Sequence, residues 1–521
     1  MSTIRIKKIP VLSILIALVF LFLTWIHLYS TARNTATPSS PPITPNSNKK
    51  YNEVDPASWP IQIYENDSSL YQPSLFSPHL FTEVEEEENA HYKPVTAIIH
   101  RVDKSPTGVE KVIQHLIKYP FIKEIYIYNA NPKRPLHSKS YYKQFEMNHR
   151  VRIELIETGD VALESMGKFT ACAVASYNKC YFQDDLWLNP YMDSLYTHAS
   201  RYPEQLVANA RPTNYMDYMM WRFNRPDIDL HTGYVELRYG AFVSRSKVQK
   251  FLSQLSRQDL STSKLRQAEN YFSIWTNQYP YLILNPLLSF GRERFKGVDT
   301  INNRELVQLN MFDAVSKLET SLMQTSQFAE SDYFDRALLE PTNRDVKSSC
   351  SNDKCLFITN IDPLPLKQGL LFDSTVTSNM SQYEQLSNEY HLQLKSNYIH
   401  ESFHKAVDQD RETCWNTIIS PNQGDYFGLY MTGDIQASTL SIYLKKTSLY
   451  TDAMFKISVQ HILYGSWNEC QITSTSITAQ RIQFHFSCPS KQPLKSIRVE
   501  FNQEQEEAFQ LCGLALDNFI V

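Results

Sequence analysis

A long apolar segment lies close to the N-terminus of this 521-residue chain. From Val11 to Leu28, only Ser13, Thr24 and His27 interrupt the apolar residues. With its flanks the segment approaches the ~20 residues that cross a bilayer as one helix. A cleaved signal peptide is the alternative, but such peptides have a shorter apolar core and end in small residues. The pattern therefore favours a transmembrane signal anchor.

Basic residues are distributed unequally around this segment. Arg5, Lys7 and Lys8 precede it, whereas Arg33 is the only basic residue that follows closely. Because positive flanks stay in the cytosol, we expect a short cytosolic tail and a lumenal remainder, which is single-pass type II topology. This topology predicts a Golgi or endoplasmic reticulum membrane protein that contacts the membrane through one helix.

Composition limits the classes of partner. The stretch from Ser30 to Lys50 is rich in Ser, Thr, Pro and Asn and has no apolar periodicity, which is typical of an extended stem. The whole chain is 42% hydrophobic and 20% charged, with a net charge of -4. No strongly positive field is available to hold a polyanion, so we expect no nucleic-acid partner.

The lumenal part carries all eight cysteines. An even number in an oxidising compartment predicts disulfides, although spacing leaves their connectivity open. The plausible local pairs are Cys172 with Cys180, Cys350 with Cys355, and Cys470 with Cys488. Asn66 and Asn379 lie in glycosylation acceptor sequences, which the predicted topology would place in the lumen.

An alternation of strands and helices begins near residue 91. The apolar run Thr96 to Ile99 predicts a buried strand, and Val109 to Ile117 predicts an amphipathic helix that begins with a capping box of Thr107 and Glu110. Further strands are predicted at Ile125 to Tyr128, Val151 to Leu155, Lys179 to Phe182 and Tyr239 to Val243. Such alternation predicts a Rossmann-like, mostly parallel α/β sheet.

Polar residues follow several of these predicted strands. Open α/β sheets bind ligands at the carboxyl ends of their strands. The residues at these positions are Arg101, Asn129, Asn131, Gln183, Asp184 and Asp185. An arginine suits a pyrophosphate, asparagines suit a base or ribose, and carboxylates suit a divalent cation. Together they predict a site for a nucleoside diphosphate.

The segment from Lys93 to Gly297 resembles the exostosin-like glycosyltransferases, family 64, of GT-A fold. The resemblance rests on Thr96 to Ile99 with Arg101, on Tyr119 to Asn129, and on an acidic triplet at the position of the family's DXD motif. Three shorter segments also resemble the family: His231-Thr232-Gly233, Gly240-Ala241-Phe242 and Ala268-Glu269-Asn270-Tyr271-Phe272.

The resemblance implies sugar transfer from a nucleotide sugar, commonly a UDP-sugar, to a glycan or glycoprotein acceptor, with Mn²⁺ at the DXD motif. Matching positions imply that Arg101 and Asn129 contact the nucleotide, with Asp184 at the ribose or metal and Asp185 at the metal. His231 is a possible second metal ligand, and Arg292 or Arg294 would clamp the diphosphate. Glu269 would lie near the anomeric carbon as a base or charge stabiliser.

The acidic triplet departs from the family pattern. It reads Asp184-Asp185-Leu186, and Leu186 offers no oxygen to a metal. Two hypotheses therefore stay open. The first is a transferase, either hexosyl or N-acetylhexosaminyl, and the second is a non-catalytic glycan-binding or scaffold protein that retains the transferase fold.

The C-terminal part changes to a period of two, which predicts antiparallel strands and a β-sandwich or jelly roll. Ala406 to Asp410, Thr413-Cys414-Trp415 and Gly424 to Leu429 resemble the discoidin, or coagulation-factor type C, family. The resemblance implies a possible carbohydrate-binding module in which Trp415 is a core residue. The predicted organisation is a tail at 1–8, an anchor at 9–29, a stem at 30–90, a GT-A-like domain at 91–342 and a discoidin-like β-sandwich at 343–521.

Overall fold

The structure of the chain is a computed structural model. It describes residues 93–102, 105–129, 136–149, 151–157, 165–289, 301–323, 346–361, 372–373, 400–447, 450–461, 465–517 and 519–520. The predicted anchor and stem lie outside these residues. Within the described ranges, no helix combines the length and the apolar character that a bilayer crossing needs.

The described α-helices all belong to the N-terminal part of the chain. They are α1 Thr107–Leu116, α2 Lys139–His149, α3 Met166–Ala173, α4 Met192–Arg201, α5 Pro212–Met220, α6 Arg245–Arg257, α7 Thr262–Leu265, α8 Glu269–Trp275 and α9 Ile301–Met323. The strands among them are β1 Val95–Arg101, β2 Ile122–Asn129, β3 Arg152–Glu157, β4 Lys179–Asp184, β5 Trp187–Leu188, β6 Val207–Ala210, β7 Arg222–Arg225, β8 Leu230–Gly233, β9 Ala241–Ser244, β10 Tyr281–Leu284 and β11 Leu288–Ser289.

Seven of these strands form one sheet in the order β10-β6-β9-β4-β1-β2-β3. All neighbouring pairs are parallel except that β9 runs antiparallel to β4 and β6. The predicted mostly parallel α/β sheet is confirmed. Strand β1 is apolar because both of its faces are covered: Ala97 and Ile99 pack with Val109 of α1, whereas Ile98 packs with Phe169 of α3.

The local signals at two element boundaries gave wrong expectations. Helix α1 has no side-chain cap, because its N-cap is Pro106 and Thr107 is already helical. The Thr107 hydroxyl instead pairs with the Ser105 hydroxyl at 2.6 Å, so the predicted capping box is not formed. The strand expected at Tyr239 begins only at Ala241, since Gly240 has φ +101°, which a strand residue does not adopt.

The C-terminal part contains strands β12 to β23. They are β12 Val346–Ser349, β13 Cys355–Thr359, β14 Phe372–Asp373, β15 Trp415–Asn416, β16 Tyr426–Ile435, β17 Thr439–Leu444, β18 Phe455–Gln460, β19 Asn468–Ile477, β20 Arg481–Ser487, β21 Leu494–Phe501, β22 Gln510–Leu516 and β23 Phe519–Ile520. All except β14 form one antiparallel sheet in which β19 pairs first with β18 and then with β20. Because β19 belongs to both halves, the sheet curls.

The two halves of the curled sheet share a core. The rings of Phe455 on β18 and Phe484 on β20 lie 5.8 Å apart across it. Trp415 is 1% exposed and its ring lies 5.2 Å from that of Phe357, which confirms the core role expected for this residue. The alternation of apolar residues predicted for this part is confirmed, because the inward residues of β17, β18, β20 and β21 are all buried.

Four disulfides join the eight cysteines. The three local pairs expected from spacing are formed, and the remaining pair is Cys414–Cys512. The pair Cys350–Cys355 closes the turn between β12 and β13, so these two strands form a cross-linked hairpin.

The β12–β13 hairpin docks against helix α4 of the N-terminal part. The buried carboxylate of Asp353 accepts hydrogen bonds from the backbone N–H groups of Asp193 and Ser194, at 2.7 and 2.9 Å. It also accepts one from the Ser194 hydroxyl at 2.6 Å. The first N–H groups of a helix have no partner within the helix. Asp353 therefore caps α4 from a distant part of the sequence.

Candidate functional site

The carboxyl ends of β1, β2, β3 and β4 meet at one edge of the parallel sheet. Strand register places Arg101 beside Asn129, Asn129 beside Glu157, and His100 beside Asp184. Arg101 and Asn129 are buried, at 6% and 0% exposure. Three of the residues predicted from sequence, Arg101, Asn129 and Asp184, are thus brought to the same edge.

Asn129 is oriented by a residue that sequence analysis did not single out. Its amide Nδ2 donates to Oε1 of Glu157 at 3.1 Å. Glu157 ends β3 and is exposed, so it presents a carboxylate beside the amide at the sheet edge. An amide beside a carboxylate can recognise the hydroxyl and N–H groups of a nucleoside.

Asp184 is the last residue of β4 and faces His100. Its Oδ1 lies 3.4 Å from Nδ1 of His100. The His100 ring stacks on the ring of Tyr128 at 5.5 Å. Helix α3 approaches this ring so closely that a Cβ at Gly167 would lie 2.0 Å from Tyr128 Cζ. A glycine at position 167 therefore lets the start of α3 approach the strand ends.

Asp185 has different contacts from its neighbour. It is fully buried, its Oδ1 accepts the backbone N–H of Val102 at 2.8 Å, and its own N–H donates to the His100 carbonyl at 3.2 Å. A Cβ at Gly108 would lie 2.2 Å from the Asp185 carbonyl oxygen. Asp185 thus joins the end of β1 to the start of α1. The Asp184 carboxylate thus faces His100, whereas the Asp185 carboxylate accepts the backbone N–H of Val102.

Glu269 forms a partly buried ion pair with Lys168. Its Oε2 contacts Nζ of Lys168, which is 2% exposed, and its Oε1 accepts the backbone N–H of Leu237 at 2.7 Å. Lys168 follows Gly167 on α3, the helix that packs on Tyr128. Through this helix the structure connects Glu269 to the edge that carries Asp184.

A second charged pair lies in the turn before Gly240. Arg238 contacts Oε1 of Glu236 at 3.1 Å and donates to the Tyr239 hydroxyl at 2.6 Å. Burial lowers the pKa of Arg238, but the carboxylates of Glu236 and Asp184 and the two nearby tyrosines outweigh it, so the pKa stays well above its usual range. Arg238 is therefore a permanent cation within the electrostatic reach of Asp184.

His231 lies at the end of α8 that is opposite to Glu269. Its Nδ1 donates to the Asp229 carbonyl at 2.9 Å, and its backbone N–H donates to Oδ1 of Asn277 at 3.0 Å. Asn277 follows the C-terminal end of α8, whereas Glu269 begins this helix. Seven helical residues span roughly 10 Å at about 1.5 Å per residue. His231 and the Glu269 pair thus lie at opposite ends of α8.

Several predicted site residues lie outside the described part of the chain. They are Asn131, Arg292, Arg294 and the glycosylation acceptors Asn66 and Asn379. Their assignments stay predictions.

The residues at the sheet edge fit a divalent cation only in a limited way. Within the described ranges, no three His, Cys, Asp or Glu side chains group closely enough to hold a metal. Mg²⁺ and similar ions are often held by one or two carboxylates together with substrate phosphates. Asp184 offers one such carboxylate, whereas the Asp185 carboxylate binds backbone. The site therefore fits a cation that takes most of its ligands from a bound diphosphate.

Comparison with known proteins gives distant structural similarities. No protein-family model and no curated protein matches the chain. Among solved structures, a mannosyltransferase from Pyrobaculum calidifontis in complex with GDP-Man and Mn²⁺ is 12% identical, with a TM-score of 0.29 over 58% of this chain and 88% of that one. S. aureus TarS is 8% identical, with a TM-score of 0.28 over 81% and 78%.

A third similar structure is glucosyl-3-phosphoglycerate synthase from Mycobacterium tuberculosis. It is 11% identical, with a TM-score of 0.25 over 43% of this chain and 80% of that one. At these scores the likeness assigns no family and no activity. What the site can do is therefore inferred from its own residues.

Three side chains near the site were not predicted from the sequence. Lys168 lies on a helix with no recognisable motif, Glu157 is the last residue of β3, and Arg238 lies in a short turn. The position of Glu157 at a strand end was a usable signal, because the same rule identified Asn129 and Asp184. Nothing local indicates that Lys168 meets Glu269, which follows it by 101 residues.

Proposed function

We propose that the chain is a glycosyltransferase that moves a sugar from a nucleotide sugar, with a UDP-sugar as the first candidate, to a glycan or glycoprotein acceptor. The observation that carries this proposal is the gathering of Arg101, Asn129 and Asp184 at the carboxyl edge of a parallel sheet, with the Lys168–Glu269 pair connected to it. Open α/β sheets bind nucleotides at this edge.

Each group has a role in this proposal. Asn129 with Glu157 recognises the nucleoside, and Arg101 binds the diphosphate with its planar guanidinium. Arg238, held close to Asp184, adds a second positive charge for the leaving group. The transfer breaks the bond between the anomeric carbon and the diphosphate oxygen, and forms a bond from the acceptor hydroxyl oxygen to the same carbon. The hydroxyl proton passes to a base.

Glu269 is the candidate for this base or for stabilising positive charge at the anomeric carbon. Lys168 fixes one of its oxygens and the Leu237 N–H fixes the other, so the carboxylate has one orientation. A fixed charge needs no reorganisation when charge develops in the transition state. The pairing with Lys168 thus supports a positioned role for Glu269.

We further propose that Mn²⁺, or another divalent cation, binds with the donor at Asp184. A bound cation would neutralise charge on the diphosphate leaving group. Asp184 is preferred to the sequence-based candidate Asp185, because the Asp185 carboxylate accepts a backbone N–H of the β1 end. His231 is not part of this proposal, since it contacts Asn277 at the end of α8 that is opposite to Glu269.

Type II topology and a Golgi or endoplasmic reticulum location complete the proposal. They rest on the apolar segment and its basic N-terminal flank, together with four disulfides that suit an oxidising compartment. Protease treatment of sealed microsomes tests them. Digestion of the C-terminal part in intact vesicles would contradict the lumenal assignment.

Calorimetry with UDP and Mn²⁺ on the full-length chain tests the site. We expect Mn²⁺ to tighten UDP binding, and Asp184→Asn to remove this effect. Asp410→Asn is the matched control, because Asp410 lies on an exposed loop of the C-terminal part. If Asp185→Asn removes the Mn²⁺ effect while Asp184→Asn preserves it with the fold intact, the cation is held by Asp185 and our choice is wrong.

The non-catalytic alternative has one observation in its favour, which is that no group of three His, Cys, Asp or Glu side chains lies close enough to hold a metal among the described residues. A screen of nucleotide-sugar turnover with added glycan acceptors separates the two functions. Tight UDP binding without turnover of any donor would favour the binding protein over the transferase.

A further inference from the structure

An open cavity of about 380 Å³ lies in the C-terminal part, and no residue of the proposed transfer site lines it. It is formed by the loop after Asp410, the end of β17 and the turn between β19 and β20. Small-ligand pockets commonly measure about 300 to 1,000 Å³. The cavity is therefore large enough for one small ligand, such as a single sugar unit.

The charge of the cavity is unbalanced. Arg411, Lys445 and Arg481 line it, and Glu412 is the only acidic residue in its wall. None of these three cations forms an ion pair within the described residues. Cationic side chains without carboxylate partners in a concave site attract anions.

Arg411 is held in place by its surroundings. Its guanidinium carbon lies 3.7 Å from the centre of the Tyr443 ring, and Nη1 donates to the Cys512 carbonyl at 3.5 Å. A Cβ at position 513 would lie 1.4 Å from Nη1, so the side chain fits only because this residue is Gly513. Burial lowers the pKa of Arg411, which means that its charge is partly stripped of water. Such a fixed, partly desolvated cation binds an anion with little loss of side-chain entropy.

The remaining wall supplies neutral polar groups. Thr478 and Gln480 belong to the β19–β20 turn, which is fixed because the Thr478 N–H donates to the Arg481 carbonyl at 2.8 Å and the Leu444 N–H donates to the Gln480 carbonyl at 2.9 Å. Hydroxyl and amide side chains are suited to the hydroxyl groups of a sugar. The cations and these groups are thus presented by the same rigid rim.

We propose that this cavity binds the carboxylate or sulfate group of an acidic sugar, with Arg411, Lys445 and Arg481 contacting the anionic group and the β19–β20 turn contacting the ring hydroxyls. The proposal goes beyond the transfer reaction, because the cavity shares no residue with the sheet edge. Its outcome is therefore independent of whether the chain proves to be a transferase.

Titration of the full-length chain with glucuronate, a sulfated glucose, glucose and inorganic sulfate tests the proposal. We expect both acidic sugars to bind and glucose to bind at least tenfold more weakly, since about 1.4 kcal/mol corresponds to a factor of ten and a charge-assisted hydrogen bond contributes roughly that much. Arg481→Gln and Lys445→Gln should each weaken glucuronate binding several-fold. Lys491→Gln, which removes an exposed charge outside the cavity, should leave it unchanged.

Arg411→Gln should have the largest effect on glucuronate binding, but it also removes packing against Gly513, so the other two variants carry the test. Glucose that binds as tightly as glucuronate would overturn the proposal. Wild-type affinity in both Arg481→Gln and Lys445→Gln would overturn it too. Inorganic sulfate that matches both acidic sugars would show a bare anion site and contradict the assignment to a sugar.

Discussion

Replacing Asp353 should weaken the contact between the β12–β13 hairpin and helix α4. In the wild type, its carboxylate accepts hydrogen bonds from the N–H groups of Asp193 and Ser194 and from the Ser194 hydroxyl. Asp353→Gly removes all three acceptor contacts. It adds no strain, because residue 353 has φ +57° and glycine adopts this conformation readily.

The magnitude follows from the groups left behind. A lost N-cap costs about 0.5 to 2 kcal/mol, and each buried donor left unsatisfied costs about 1 to 3 kcal/mol. Relief of the buried carboxylate's desolvation offsets part of this loss. We therefore expect Asp353→Gly to lower the free energy of unfolding by roughly 3 kcal/mol. This is a large part of the total free energy of unfolding of an average protein, which is about 5 to 15 kcal/mol.

Urea unfolding of the full-length chain, followed by tryptophan fluorescence, measures this change. Asp353→Asn keeps an acceptor oxygen and should cost about 1 kcal/mol, because one hydrogen bond is weakened. Asp452→Asn is a control on an exposed turn of the same part of the chain. Neutral surface substitutions change the free energy of unfolding by no more than about 0.5 kcal/mol. A change this small in Asp353→Gly would refute the capping argument.

Three further predictions concern the site, the pH response and the domain boundary. Glu269→Gln should lower transfer roughly a hundredfold with little change in UDP affinity, because a preorganised charge acts mainly on the transition state; kinetics with a saturating donor checks this. Burial raises the pKa of Asp193 to about 6, although the nearby Lys354 opposes this shift. Between about pH 4 and pH 6 the native state therefore binds more protons than the unfolded state, so the free energy of unfolding should fall as the pH rises through this range. The slope in urea midpoint against pH should flatten in Asp193→Asn. A chain truncated after Thr342 lacks the cap of α4 and should unfold at lower urea than the full chain, whereas equal stability would show an independent domain.

Sequence predicted the sheet edge well because the rule behind it is local. A strand ends where its apolar run ends, and parallel strands place their carboxyl ends together. Arg101, Asn129 and Asp184 could be found in this way. The residues that connect them to Glu269 could not, since Lys168 lies on a helix whose position depends on packing. Gly167 shows this dependence, because its missing side chain matters only once the Tyr128 ring is beside it.

Two consecutive aspartates illustrate a second limit. Their order in the sequence gives no means of telling which carboxylate is directed to a ligand and which to the protein. In the structure Asp185 binds the Val102 backbone, while Asp184 faces His100. That difference arises because β4 ends at Asp184 and the chain turns immediately afterwards. The exact end of a strand is the least predictable part of it.

The C-terminal part shows the same contrast between local and distant information. A period of two identified the inward residues of β17, β18, β20 and β21, because this pattern follows from alternation along each strand. It could not identify the partner of Cys414 or the docking of the β12–β13 hairpin. Both depend on residues far apart in sequence, such as Asp353 and Asp193, which are separated by 160 positions.

The segment from Asp185 to Tyr191, which joins β4 to α4, is held from two sides. Helix α1 contacts it through Gly108 and through His115, whose Nε2–H donates to the Asn189 carbonyl at 2.8 Å. Burial lowers the pKa of His115 to about 4, so the ring is neutral and keeps this hydrogen bond at physiological pH.

From the other side, the Asp353 carboxylate of the C-terminal part caps the helix that follows the segment. A rigid segment positions a single carboxylate more accurately than a mobile loop could. The docked hairpin is thus more than a link between two parts of the chain. It supports the segment that follows Asp184, and in the proposed site this support would hold the one carboxylate that Asp184 offers, since Leu186 provides no oxygen.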